Sequence, residues 1–492
     1  MGGNYEKSIY NQLMDVMARL DSVENNLKEE KKEHKDDVLR LNDKIDKLSA
    51  ENDSLKKENK ILKEDNARLK SIINNDSSNT SLPPSSDNKN RKPANTYNGR
   101  KKTDRKVGGQ KGHKGTTLTK SEVEEKIKSG KWKVTIENIG AKPKGNYIKK
   151  YVLDLQVAPL VREIHIFPDK NGQFHIPQKY RSDVTYGENV KALAVALYSE
   201  GVMANERIAD FLNAASGNEL GLSSGSVYGF CKRFSDNAKI SILHLEEELL
   251  NEKVVATDAT TTTVNGTQNY IRNFSTEMTV VFHALKKKTI SALKQLEFLK
   301  KFSGILVHDH ETALYHFGTE HGECNVHLIR YLRKNSEETK NQWSDKMIEL
   351  LCRMNSDRKE LIRQGVKSFS RDRIEAYEKC YMDLISQGRC ENKETKHKYA
   401  KSDEKTLLNR MEKYKKNHLL FLYDFDVWFD DNISERDLRK AKNRQKMAGG
   451  FRKDSGHEMY CSILTIIETL KRRNMNLIEN IRKLFMGTPA IF

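Results

Sequence analysis

The sequence predicts a multidomain α+β protein: an N-terminal coiled coil, a disordered basic linker, a helical region, and a strand-built core interrupted by further helix. Three observations predict it. Leucines recur at every seventh position near the start, a Ser/Asn/Pro/Gly-rich basic stretch follows, and Lys253 to Leu285 reads as consecutive short strands. The 492 residues suffice for about two to four structural units. A net charge of +18 and a pI near 9.3 point to a polyanionic partner, nucleic acid first among them. No apolar run is long enough to span a membrane, and MGGNYEKS lacks the apolar core of a secretion signal, so a soluble intracellular chain is expected. The six cysteines form no CxxC pair, which argues against a disulfide framework or a zinc ribbon.

Residues 1–73 carry a heptad. Leu13, Leu20, Leu27, Leu41, Leu48, Leu55, Leu62 and Leu69 share one register, broken only by His34. Companion positions include Met17, Val38, Ile45, Asn52, Asn59, Asn66 and Ile73. A leucine seam flanked by charge is a coiled-coil arm, and the three asparagines favour one register of a parallel homo-oligomer. Residues 74–118 have almost no large apolar side chains and cannot offset their chain entropy. Between Lys89 and Lys114 ten Lys or Arg face one acid, Asp104. Arg100, Lys101, Lys102, Arg105 and Lys106 therefore suit sequence-independent phosphate contact, the alternative being a solubilising linker.

In residues 119–183, alternation in Lys131–Ile136, Tyr147–Val157 and Val161–Phe167 predicts a small β-rich module. Residues 184–250 turn helical: Val190, Leu193, Ala194 and Leu197 keep helical spacing, Ala204–Ala215 makes a second helix, and Ser223-Ser224 cap a third that carries Lys232 and Arg233. This spacing fits a helix-turn-helix DNA reader and equally an ordinary helical subdomain.

Residues 251–335 hold the core. Val254, Val255 and Ala256 lead to Asp258, Thr262 and Val264 lead to an Asn265-Gly266 hairpin turn, and two further β-rich runs follow. Ile290–Phe302 reads as one amphipathic crossover helix, and Gly304–Val307 is a second apolar strand delivering Asp309. Two acids, each expected at the end of an apolar strand, could share metal ions for phosphoryl transfer. Cys324 and His327, three apart, share a helix face and read as a structural pair, or as metal ligands were further donors to join them. Residues 336–430 read as a charged helical insertion.

In residues 431–492, Ser434 is placed to cap a helix bearing Glu435, Arg436 and Arg439. Glu435 is either one half of a surface ion pair with Arg439 or a third metal-binding acid, with Glu458 and Glu468 as rivals. Arg444, Arg452 and the Gly449-Gly450-Phe451 loop suit contact with a DNA backbone, and Met459–Leu470 is an apolar helix.

The order of these parts, with the segments SSNTSLPPSSD, GGQKGHKGTTL, VVATDATTTTVNG, HDHETALYHF, ECNVHLIRYLR and ISERDLRKAKNRQKMAGGFRKDSG, resembles the transposases of the insertion-sequence sixty-six type over nearly the whole chain. The resemblance implies an RNase H-like DDE core with a helical insertion before the last acid. It makes Asp258, Asp309 and Glu435 catalytic and metal-binding, with two Mg²⁺ (or Mn²⁺), and makes Cys324 and His327 the pair found after the second acid. The implied chemistry is attack of water, then of a 3′-hydroxyl, on DNA phosphodiesters. The implied partners are element ends and target DNA, a second copy through residues 1–73, and accessory proteins, in a bacterial cytoplasm at the nucleoid. The sequence departs from the family in three places. Residues 119–183 lack the family's four-cysteine module, so no zinc is expected there; Ala259 and Thr260 follow the first acid in place of Glu and Thr; and His310 replaces a Gly after Asp309. Two other readings are a catalytically inactive DNA-binding dimer and a nuclease without strand transfer.

Overall fold

The computed structural model describes residues 3–73, 118–137, 148–153, 155 and 157–489. Linker residues 74–117, including Arg100, Lys101, Lys102, Arg105 and Lys106, lie outside them. The chain divides into two compact units, Met1–Asn88 with Arg330–Glu349 and Tyr381–Lys413, and the remainder.

In the first unit, Gly3–Ile73 is one continuous helix of 71 residues. Its leucine seam, from Leu13 through Leu69, is exposed in the single chain. The helical segments of the same unit close around Trp343 and Glu404, both fully buried. Trp343 Nε1 donates to Glu404 Oε1 at 2.7 Å, and Asn335, Asn341 and Asn392 donate to the same carboxylate. Burial works to raise this carboxyl, but the bonds from Trp343, Asn335, Asn392 and Asn341 outweigh it and hold the pKa below the usual range.

The second unit is built on a five-stranded mixed sheet. Strands β1 (Val254–Val264), β2 (Thr267–Ser275), β3 (Val280–Leu285), β4 (Ile305–His308) and β5 (Glu320–Glu323) lie in the order β3-β2-β1-β4-β5. β1, β2 and β3 are antiparallel neighbours, whereas β4 and β5 run parallel to β1. Asn265 (φ 48°) and Gly266 (φ 77°) make the tight β1–β2 turn that the dipeptide predicts. Both outer strands are covered. Thr465 and Thr469, on helix Asp454–Arg472, bond the free backbone edge of β3: Phe282 N–H donates to Thr465 Oγ1 at 2.9 Å and Val280 N–H to Thr469 Oγ1 at 3.2 Å. Helix Lys415–Tyr423 packs along β5. Covering the edges removes the unpaired ladder groups that would recruit another chain.

Four expectations are corrected. β1 does not end near Asp258: β2 pairs with it as far as Val264, so the acid sits in mid-strand. The crossover is two short helices, Ile290–Leu293 and Glu297–Lys301, because the chain extends at Leu296 to bury that side chain. Ser434 caps nothing; helix Asn432–Asp437 starts after Asp431, and Ser434 is buried inside it. Among the described residues of 119–183 there is no strand, only helix Lys120–Lys128, opened by a Thr119–Glu122 capping box, and a short turn of 3₁₀ helix at Gln178–Tyr180. Ile136, Ile148, Val152 and Val161 are 84–92 % exposed, and alternation without a sheet to bury one face does not hold a strand.

Upstream of the sheet, helices Glu188–Ser199, Asn205–Ala215, Ser224–Asn237 and Lys239–Leu250 share its hydrophobic core through Val195, Ile208, Phe234 and Leu245. Ser223 caps the third as expected, its Oγ accepting from Ser226 N–H.

Candidate active site

The parallel register pairs Val254 with Ile305, Val255 with Leu306 and Ala256 with Val307. Carried two residues on, it sets Asp258 abreast of Asp309 at the end where β4 leaves the sheet. Equal register on neighbouring parallel strands puts both carboxylates on one face. The electrostatics agree. Burial and then the Asp309 charge raise the Asp258 carboxyl to about 6, against weaker opposing pulls from Lys288 and Lys442.

Glu435 comes from helix Asn432–Asp437, which β2 fastens down. Asn273, the cross-strand partner of Asp258, accepts from Asp258 N–H at 3.1 Å and donates to Ser434 O at 2.9 Å. Ser275 Oγ donates to Asp437 Oδ2 at 2.7 Å, and Arg472 closes on the same carboxylate. One strand thus holds the first acid's backbone and the third acid's helix together. Glu435 faces His327, its Oε1 at 3.3 Å from Nε2, rather than Arg439. The rivals are elsewhere: Glu458 is exposed, and Glu468 is tied to Lys440 and Lys471.

Asp309 is followed by His310 at φ 69°, the left-handed region that glycine favours. Side-chain contacts hold it there. His310 Nδ1 lies 2.8 Å from Glu323 Oε1, and the ring packs edge-on against Tyr414. Glu323 is buried, and its other oxygen lies 3.0 Å from His418 Nε2. On the other side of Asp309, burial lowers the His308 pKa to about 3, and its Nε2 meets His321 Nδ1 at 3.2 Å. A second brace starts from fully buried Arg272, which donates to Thr257 Oγ1 at 3.0 Å and Glu311 Oε2 at 2.5 Å. Asn273, Arg272 and Glu323 were invisible to sequence reasoning; only cross-strand register reveals them.

Cys324 and His327 are both buried at the start of helix Asn325–Thr339, and Asp431 joins them, the three donor atoms lying within 4.8 Å of one another. Asp431 N–H donates to Cys324 Sγ at 3.4 Å. Burial raises the Asp431 carboxyl far above its usual range, with the charges of Asp258 and Glu435 adding to it. Burial raises the Cys324 thiol likewise.

The candidate DNA contacts divide. Lys232, Arg233, Arg436, Arg439 and Arg452 are exposed. Arg444 instead turns inward: its guanidinium lies 4.4 Å from the Tyr198 ring centre, also faces Tyr460, and donates to Met203 O at 2.8 Å. It braces helices and is not available to phosphate. The Gly-Gly-Phe loop is likewise structural. Phe451 N–H donates to Thr263 O and Asn265 N–H to Phe451 O, so the loop extends the β1 tip.

The family model described as Transposase IS66 family matches residues 183–459, more than half of the chain. A family of unknown function (DUF6444) matches residues 9–119. No curated protein matches the chain.

Proposed function

The chain belongs to the IS66 family of transposases, and on that premise we propose that it cuts DNA at the ends of its own insertion element and joins them to a target. The catalytic residues in this reading are Asp258, Asp309 and Glu435 on an RNase H-like core. The observation that carries it is the approach of Asp258 and Asp309 two residues past the last β1–β4 pair, Ala256–Val307, where the Asp309 charge acts on the Asp258 carboxyl, with the Glu435 helix fastened to the neighbouring strand. A mixed sheet of three antiparallel and two parallel strands supports that core assignment.

The three carboxylates offer oxygen donors alone, which suits Mg²⁺ or Mn²⁺. The elevated Asp258 pKa fits as well, since crowded carboxylates that retain a proton are a site short of positive charge. Two such ions, when bound, supply activation of the attacking oxygen and stabilisation of the leaving one. The chain's own part is positional. β1 and β4 hold two acids rigidly, Asn273 fixes the third acid's helix, and His310 fixes the backbone after Asp309. Exposed Lys232, Arg233, Arg436, Arg439 and Arg452, with the basic linker, hold the DNA backbone. Helices Asn205–Ala215 and Ser224–Asn237 serve as the helix-turn-helix-like element, and the exposed leucine seam pairs two chains.

The test is Mg²⁺- or Mn²⁺-dependent nicking of DNA carrying the gene's own flanks, wild type against Asp309→Asn. Cleavage at discrete flank positions and joined products are expected from wild type, with the variant binding but not cutting. Binding without cleavage by either protein would replace this reading with a DNA-binding dimer. Cleavage without joining would replace it with a nuclease.

A further inference from the structure

Asp431 is fully buried, and neither of its carboxylate oxygens finds a donor in hydrogen-bonding geometry, the adjacent Cys324 thiol being the side chain that acts on it as a weak partner. A sealed carboxylate without donors is costly unless a cation or proton meets it. The nearest ring nitrogen, His327 Nδ1, stands 3.8 Å from Oδ1, beyond hydrogen-bonding reach. Cys324 completes the group, so a sulfur, an imidazole and a carboxylate converge in one buried place.

We propose that Cys324, His327 and Asp431 bind a Zn²⁺ ion, distinct from the ions of the three-carboxylate site. Zinc takes this mixture of donors, whereas Mg²⁺ prefers oxygen alone. Zinc bonds of about 2.0–2.3 Å in a tetrahedron set donor atoms roughly 3.3–3.8 Å apart. Donors already within 4.8 Å of one another reach that spacing by side-chain rotation of about 1 Å. The backbone is set for it. Asn325 N–H donates to Phe429 O at 3.0 Å, tying the two ligand-bearing segments together, and Cys324 N–H donates to His308 O at 2.9 Å, anchoring the first of them to β4. The N–H of Asp431 on Cys324 Sγ steadies a thiolate, and Glu435 against the far nitrogen of His327 is the outer carboxylate that ligating histidines commonly have. Three protein donors leave the fourth position to water.

The ion would act as a staple. Cys324 and His327 follow β5, Asp431 immediately precedes the helix carrying Glu435, and more than a hundred residues separate them in sequence. Cross-linking them fixes the third acid across that long excursion, whether or not the chain cuts DNA. Spacing alone favoured a metal-free Cys324–His327 pair; the fully buried Asp431 reverses that preference.

The test is the metal content of the full chain, purified without chelator and dialysed against metal-free buffer, by plasma mass spectrometry, followed by replacement with Co²⁺. About one zinc per chain and a cobalt–thiolate charge-transfer band are expected. Cys324→Ser should abolish the band, Asp431→Asn should weaken zinc retention at least tenfold, and Asp309→Asn should leave both unchanged. Circular dichroism identifies any variant that fails to fold, and the wild-type cobalt spectrum needs no variant. Wild type with neither zinc nor the band would overturn the proposal. So would a band persisting in folded Cys324→Ser, which would move the metal to exposed Cys352, Cys380 or Cys390.

Discussion

His310 sits at φ 69°, held by Glu323 and Tyr414. Alanine there would keep the strained backbone and lose the bond, while glycine would relieve the strain. His310→Gly should therefore be more stable than His310→Ala by about 1 kcal/mol, read as the order of their urea midpoints. Equal midpoints would show that the positive φ is not a strain the side chain has to hold. Asp258 sets a pH dependence. Its carboxyl rises from 3.8 to about 6, so the folded chain keeps a proton that the unfolded chain has released. That contribution to stability is complete below about pH 3.8, declines as pH rises towards 6, and is gone above it. Divalent ions compete with the same proton, so stabilisation by Mg²⁺ in a thermal melt should grow between about pH 5 and pH 7. Asp309→Asn, which removes one of the three carboxylates offered to the ions, should largely abolish that growth. A Mg²⁺ effect identical at both pH values would count against the site. Arg452 and Arg444 make a contrast: Arg452→Gln should lower the salt slope of DNA binding by about 1, whereas Arg444→Gln should lower the melting temperature and leave the slope alone.

At the scale of elements, the sheet is organised by what is fastened to it. Gly450 has φ 135°, and a Cβ there would stand 2.4 Å from Thr263 O. Gly450→Ala should push the loop off the β1 tip at a cost of at least about 2 kcal/mol, seen as a lower melting temperature and faster proteolysis near Phe451. Asn273→Ala removes the partner of Asp258 N–H and of Ser434 O, and should cost about 2–3 kcal/mol. Because it loosens the Glu435 helix, nicking should fall further than the stability loss explains. Nicking at the wild-type rate in a folded Asn273→Ala chain would show that the clasp does not position Glu435.

At the scale of the whole molecule, the 71-residue helix exposes its leucine seam along almost its full length. An isolated helix gains little from leucines left in water, so pairing with another such helix is its natural completion. A chain lacking residues 1–73 should show a lower assembly state by light scattering and weaker DNA binding through lost avidity. An unchanged mass would place the oligomer contact elsewhere. Among the described residues, no helix is long and apolar enough to cross a membrane.

The sequence by itself determined whatever repeats or punctuates locally. The heptad gave the long helix, Asn-Gly gave the hairpin turn, Ser223 gave a helix start, and the apolar runs ahead of Asp258 and Asp309 gave strands β1 and β4. It misjudged segments whose pattern lacks a partner, as where Ile148 and Val152 alternate but find no sheet. Tertiary structure alone decided the rest, because those contacts join residues far apart in the chain. Register made Asn273 the clasp for the Glu435 helix, packing turned Arg444 inward, and closure of the fold brought Asp431 to Cys324 and His327. Periodicity reports which face a residue occupies; only the folded chain reports what that face meets.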